Sequence, residues 1–163
     1  MIQRIQTIYM ALVCVLCILC LVSDLGRFVV NGVEAAAFSN FTFGVVEEGP
    51  LAQMNESGPW GMSVLLILVV FLQVVSILLF NKRMRQVRLL ALNCILLVGY
   101  LITYAFLAWV YDAKVEAVMS GVAYSFQIAA GAIYPVICLI LNAMAIHYIK
   151  KDEALVRALD RLR

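Results

Sequence analysis

The sequence predicts an all-α membrane protein, an antiparallel bundle of four transmembrane helices. Hydrophobic residues make up 65% of the 163 residues and charged residues 13%, against about 45–50% and about 25% in a soluble domain. The apolar residues form four long runs without Asp, Glu, Lys or Arg, which is typical of membrane-spanning helices. We therefore expect a single integral membrane domain over residues 1–163.

The predicted spans cover about 5–22, 60–80, 89–111 and 122–148. A helix needs about 20 apolar residues to cross the hydrocarbon core, and each run meets or approaches that length. Lipid cannot hydrogen-bond the backbone, so each run should be helical. The short connections after the second and third spans make consecutive helices antiparallel neighbours.

Charge predicts the orientation of the bundle. One side carries ten basic and three acidic residues, a net charge of +7, and the other carries two basic and seven acidic residues, a net charge of −5. By the positive-inside rule both termini are cytoplasmic. A basic patch beside a membrane favours anionic lipid over nucleic acid as its partner. The predicted cytoplasmic basic flank consists of Lys82, Arg83, Arg85, Arg88, Lys150 and Lys151.

Two segments lie outside the predicted spans. The extracytoplasmic loop 24–59 contains Asn31-Gly32 between apolar residues, which indicates a small hairpin; the simpler interpretation is a loop packed loosely on the helix ends. In the tail 150–163, Leu155, Leu159 and Leu162 recur at helical spacing and predict an amphipathic cytoplasmic helix. That helix either continues the fourth span or lies on the headgroups, and docking of a cytoplasmic partner is the alternative.

The fourth span has the most specialised sequence. Its small residues allow another helix to approach closely, and its proline predicts a kink because it removes a backbone donor. Packing within the same bundle is the alternative to an oligomer or partner interface. The candidate interface residues are Ser125, Ala129, Gly131, Ala132 and Pro135.

Four amides in the spans are the candidate intramembrane polar contacts. Such groups usually hydrogen-bond between helices, and the alternative is a polar path for a small molecule. The spans contain no acidic residue, which argues against ion-coupled transport. The four amides are Gln73, Asn93, Gln127 and Asn142.

The five cysteines do not predict a catalytic or metal site. Cys14, Cys17 and Cys20 are spaced by three in the first span, while Cys94 and Cys138 lie in the third and fourth. Zinc needs four converging ligands. Thiol–disulfide exchange needs cysteines outside the membrane, and residues 24–59 and 112–121 contain none. We expect small apolar fillers at helix interfaces, with no metal and no cofactor.

Three stretches carry a resemblance to a known family: MIQRIQTIY at 1–9, RLLALN at 88–93, and IKKDEALVR followed by DRLR at 149–163. The chain resembles a family of small bacterial four-helix inner-membrane proteins whose domain has no known function. The resemblance implies a location in the bacterial inner (plasma) membrane and a fold, and it supplies no catalytic residue.

The predicted function follows from the missing ionisable core, the small residues of the fourth span and the charged tail. We expect a non-enzymatic structural, assembly or interaction subunit that binds another membrane component. Its partners are the lipid bilayer and either a membrane protein or further copies of the chain, not nucleic acid. A carrier or channel for a small molecule or lipid is the first alternative, and a membrane thiol redox enzyme is the second.

Overall fold

A computed structural model describes residues 2–46, 51–52, 58–79, 83–119 and 121–161. The helices are α1 Ile2–Val22, α2 Trp60–Leu78, α3 Arg83–Val118 and α4 Tyr134–Arg161, with a short 3-10 turn at Ala130–Ala132. The strands are β1 Asp24–Val30, β2 Val33–Ser39, β3 Phe43–Val45 and β4 Tyr124–Ile128.

The four helices pack side by side in the order α1, α2, α3, α4, and α4 closes the ring against α1. Gln6 contacts Asp152 at one end, and Cys17 contacts Cys138 farther along, so α1 and α4 are antiparallel. Among the described residues, α2, α3 and α4 are long and apolar enough to cross a membrane. The apolar part of α1, Gln6–Val22, is shorter, so the structure supports three of the four predicted spans by this criterion.

The prediction of an all-α fold is wrong, because the protein contains a four-stranded antiparallel sheet in the order β3-β2-β1-β4. The hairpin predicted at Asn31-Gly32 is present between β1 and β2. Both turn residues have positive φ, 52° and 82°, as the tight turns that join twisted strands require. Of the two interpretations of this segment, the hairpin is the one observed, and strands cover most of residues 24–45.

The prediction of a helical span over 122–148 is also wrong in its first half. Strand β4 pairs with β1 from Gly26↔Ile128 to Val30↔Tyr124. The period of two in this segment, with aromatic and apolar residues alternating with polar ones, suits a strand. Helix α4 begins only at Tyr134. Pro135 thus lies in the first turn, where a missing N–H costs nothing, and the predicted kink within a helix is absent.

The predicted tail helix is continuous with α4, which runs without a break to Arg161. Of the two placements open from the sequence, continuation of the fourth span is the one observed. The tail therefore extends from the end of the bundle opposite the sheet.

The sheet and the helices share one hydrophobic core. Helix α3 has 36 residues, about 54 Å at 1.5 Å per residue, against about 30 Å of hydrocarbon. Its C-terminal part therefore continues past the other helices and packs against the sheet. Phe38 stacks on Tyr104 at 6.0 Å, Phe43 stacks on Tyr111 at 4.7 Å, and Phe28 packs beside them. These rings fix the sheet on the end of the bundle.

Candidate functional site

A buried hydrogen-bond network, the sheet-side polar layer, joins the sheet to the helices. Its members are Cys20, Asn40, Ser63 and Tyr100. The Asn40 Nδ2 atom donates to the Cys20 carbonyl at 2.6 Å, and the Tyr100 hydroxyl donates to Asn40 Oδ1 at 2.7 Å. The Ser63 hydroxyl donates to the Asn40 carbonyl at 2.6 Å. Asn40 thereby links the β2–β3 turn to α1, α2 and α3.

Sequence reasoning missed this layer. The sequence places Asn40 in the predicted extracytoplasmic loop, and neither Tyr100 nor Ser63 differs in pattern from the apolar residues around it. The available sequence signal is the turn Ser39–Thr42 between two apolar stretches, and the structure buries Asn40 fully in that turn. Asn favours such turns, but its partner Tyr100 lies 60 residues away in sequence.

Three buried thiols lie near one another, Cys20 within this layer and Cys17 and Cys138 next to it. The Cys17 and Cys138 sulfurs lie 3.6 Å apart, and the Cys20 sulfur is 3.5 Å from the Tyr100 hydroxyl. A disulfide needs about 2.05 Å between sulfurs, so these are neighbouring free thiols at the α1–α4 contact. Within the described parts of the chain, no group of three or more His, Cys, Asp or Glu is arranged to hold a metal ion.

A second set of buried polar residues, the mid-bundle polar layer, lies deeper among the helices. Its members are Gln73, Ser76, Asn93 and Asn142, all at most 1% exposed. Asn93 Nδ2 donates to Gln73 Oε1 at 2.5 Å, and Gln73 Nε2 donates to the Met10 carbonyl at 3.4 Å. Three of the four predicted polar contacts thus lie in this layer, and two of them, Gln73 and Asn93, are hydrogen-bonded to each other.

Several atoms of the mid-bundle polar layer have no hydrogen-bond partner among the described residues. They are Ser76 Oγ, Asn93 Oδ1 and both amide atoms of Asn142. The fourth predicted contact, Gln127, does not belong to the layer, because it lies exposed on β4. The predicted polar path through all four amides is therefore interrupted.

The predicted interface residues do not share a helix face. Ser125 is exposed on β4, whereas Gly131, Ala132 and Pro135 are buried at the turn into α4. A Cβ at Gly131 would lie 2.3 Å from the Asp24 carbonyl oxygen, so the backbones meet too closely for any side chain. The Ala129 amide donates to the Leu25 carbonyl at 3.1 Å. These small residues therefore join the start of α4 to β1 within the chain.

The exposed face of the sheet carries an ion-pair cluster. Arg27 donates to Glu34 at 2.5 Å and to Asp24 at 3.2 Å. The hydrogen bond from Arg27 to Glu34 is the main cause that raises the pKa of the guanidinium above its ordinary value. Because the three side chains are 38–55% exposed, solvent screens the cluster and it contributes little to stability.

The basic flank lies at the opposite end of the bundle. Arg85, Arg88, Lys150 and Lys151 are exposed there, while Lys82 lies outside the described residues. A cleft of about 270 Å³ opens between α3 and α4 at this end. It is lined by Met84, Val87, Lys150, Glu153 and Ala154.

A family model for a domain of unknown function, DUF4293, matches residues 2–162. The chain belongs to this family. The resemblance predicted from the sequence to a family without known function is thereby confirmed. No curated protein matches the chain. Membership of DUF4293 assigns no activity, so function must be argued from the sites described above.

Proposed function

We propose that this DUF4293 protein is a multi-pass protein of the bacterial inner (plasma) membrane with both termini in the cytoplasm. The sheet has open edges, which cannot lie in hydrocarbon. Three of its four strands lie in the segment 24–59, which the sequence predicts on the acidic side. Exposed tryptophans, Trp60 and Trp109, lie towards the sheet end. Tyr9 stacks on Tyr148 at 5.8 Å towards the basic end. Aromatic residues at both ends of apolar helices are typical of membrane interfaces.

We further propose that the protein is a non-enzymatic interaction subunit that binds another membrane protein through its sheet. The observation that carries this proposal is the position of β4. Among the described strands β4 pairs only with β1, so half of its backbone N–H and C=O groups face away from the sheet. Strand addition to such an edge is a common mode of recognition.

The edge is rigid, which favours specific binding. Phe126 of β4 packs on Phe28 at 5.0 Å and closes over Gly26, where a Cβ would lie 2.6 Å from its ring. The Tyr124 hydroxyl donates to the Asp112 carbonyl of α3 at 3.3 Å. A preorganised strand loses little conformational entropy when a partner strand pairs with it.

Site-specific photo-crosslinking in intact membranes tests the edge. A photoreactive amino acid at Gln127 of β4 should give a reproducible crosslink to one membrane protein or to a second copy. The matched control is the same probe at Ala37 of β2, which pairs with Arg27 of β1 on one side and Gly44 of β3 on the other. Absence of any reproducible product from Gln127, or equal products from both positions, would contradict the proposal.

A carrier for a small polar molecule is the second candidate, favoured by the unpartnered atoms of the mid-bundle polar layer. Proteoliposomes should then show protein-dependent glycerol flux, measured by light scattering after an osmotic step. The flux should fall in Asn142→Leu and stay unchanged in Gln127→Leu, which lies on the sheet. Equal flux in the wild type and both variants rejects the carrier.

A further inference from the structure

We propose that the cleft between the start of α3 and the last turns of α4 binds the phosphate headgroup of an anionic phospholipid. The cleft, about 270 Å³, combines an apolar wall, Met84 and Val87, with the cation of Lys150. Such a combination of walls suits an amphiphile. This site is independent of the sheet edge, which lies at the other end of the molecule.

The charge around the cleft favours an anion. Lys150 is the cation in the lining, and three further exposed basic side chains lie near it in sequence or on the first turns of α3, namely Arg85, Arg88 and Lys151. The nearby acids are Glu153, in the lining, and Asp152, which accepts a hydrogen bond from Gln6 of α1 at 2.6 Å. Helix α3 also begins at Arg83, so its N-terminal dipole adds partial positive charge. The local excess of positive charge is complementary to a phosphodiester.

The surface next to the cleft identifies the ligand as a lipid rather than free phosphate. Ala91 lies one turn beyond Val87 on α3, and Ala143 lies two turns before Lys150 on α4 with His147 between them; all three are exposed. Beyond them lie Ile95 and Ile140, 67% and 57% exposed. Apart from His147, these exposed side chains are apolar and continue along α3 and α4 from the cleft towards the middle of the bundle. A fatty acyl chain can lie against them while its headgroup occupies the cleft.

The test uses the full-length protein, purified in detergent, with phosphatidylglycerol and phosphatidylcholine as probes in native mass spectrometry titrations. Phosphatidylglycerol should bind more tightly than phosphatidylcholine. Removing one cation is worth about 1 kcal/mol near such a surface, so Lys150→Ala should weaken phosphatidylglycerol binding about fivefold. Ala154→Trp, which fills the cleft from an exposed position, should weaken it without changing the charge.

Lys114→Ala is the matched control, because Lys114 lies on α3 at the sheet end and its loss changes net charge equally. Binding by this variant should equal that of the wild type. Thermal melting of each variant verifies that the fold is retained. Equal affinity for both lipids, or equal loss in Lys114→Ala and Lys150→Ala, overturns the proposal. Displacement of the lipid by glycerol phosphate at comparable concentration overturns the lipid as ligand. Crosslinking at Gln127 remains a separate test of the proposed function.

Discussion

Two fully buried asparagines show how differently the two polar layers are built. Asn40, in the sheet-side polar layer, uses both side-chain amide atoms and its backbone carbonyl in hydrogen bonds to three helices. Asn142, in the mid-bundle polar layer, has no partner for either amide atom among the described residues. Each buried unsatisfied polar atom costs about 1–3 kcal/mol. The first layer therefore connects the sheet to the helices and stabilises the fold, whereas the second contains a polar group without hydrogen bonds among the described residues.

The largest loss of stability is expected from a substitution in the sheet-side polar layer. Asn40→Leu leaves the Cys20 carbonyl and the Tyr100 hydroxyl without their asparagine partner, and should lower the free energy of unfolding by about 2–5 kcal/mol. Chemical denaturation in micelles, followed by tryptophan fluorescence, measures this loss. Tyr100→Phe removes one of these bonds and should cost less. If Asn40→Leu is no more harmful than Asn142→Leu, the contrast between the layers fails.

The next effect concerns the close approach between α4 and β1. Gly131→Ala places a methyl group against the Asp24 carbonyl, and overpacking of this kind costs about 1–3 kcal/mol. The control is Gly99→Ala on α3, where nothing lies within 4 Å of the added Cβ. There alanine should be neutral or gain about 0.5–1 kcal/mol, since it favours helix. Equal melting temperatures for the two variants would show that the turn into α4 has room.

In the mid-bundle polar layer, replacing a polar residue should stabilise the protein rather than destabilise it. Asn142→Leu replaces a buried unpartnered amide by an apolar group of similar size, and should raise the free energy of unfolding by about 1 kcal/mol. The same denaturation experiment measures it. A loss of stability instead would mean that the amide has a partner in the membrane, and would remove the contrast with Asn40.

The smallest effect is expected on the exposed sheet face. Glu34→Gln removes the main partner of Arg27. Because the side chains of this ion pair are accessible to solvent, the melting temperature should barely change. A raised arginine pKa adds stability below the ordinary arginine value and loses it only at still higher pH. Arg27 should therefore add no pH dependence between pH 6 and 9, as thermal melts across that range can verify. A steep dependence that disappears in the variant would show that this face is buried by a partner.

Hydropathy predicted the helices but could not predict the sheet. Residues 122–133 lack charges and so resemble a transmembrane span. In the structure, Tyr124 and Phe126 of β4 pack instead against Phe28 of the neighbouring strand β1. Their alternation with polar residues was a visible strand signal. What the sequence could not reveal was the pairing partner, because β1 lies about 90–100 residues earlier and its contact with β4 is not local.

Among the candidate sites, too, contacts between consecutive elements could be predicted from the sequence, whereas contacts between distant segments could not. The bond between Gln73 and Asn93 was predictable, because a short turn makes α2 and α3 neighbours. The network of Asn40 was not, since it needs the sheet to be in place. The cleft could be foreseen only as a basic flank: its apolar wall depends on how the ends of α3 and α4 pack.

The pairing of β1 with β4 has a consequence for biosynthesis. In the proposed topology β1 to β3 are exported first. The β1 edge that will receive β4 is then still open, and two whole helices must follow before Tyr124–Ile128 arrives. At about 5–20 residues per second, that interval is roughly 5–20 seconds for each nascent chain. During it the chain displays an unpaired strand at the membrane surface, a hazard for aggregation. The sheet can therefore be completed only after α3 has been made, and chains truncated before β4 leave this edge exposed.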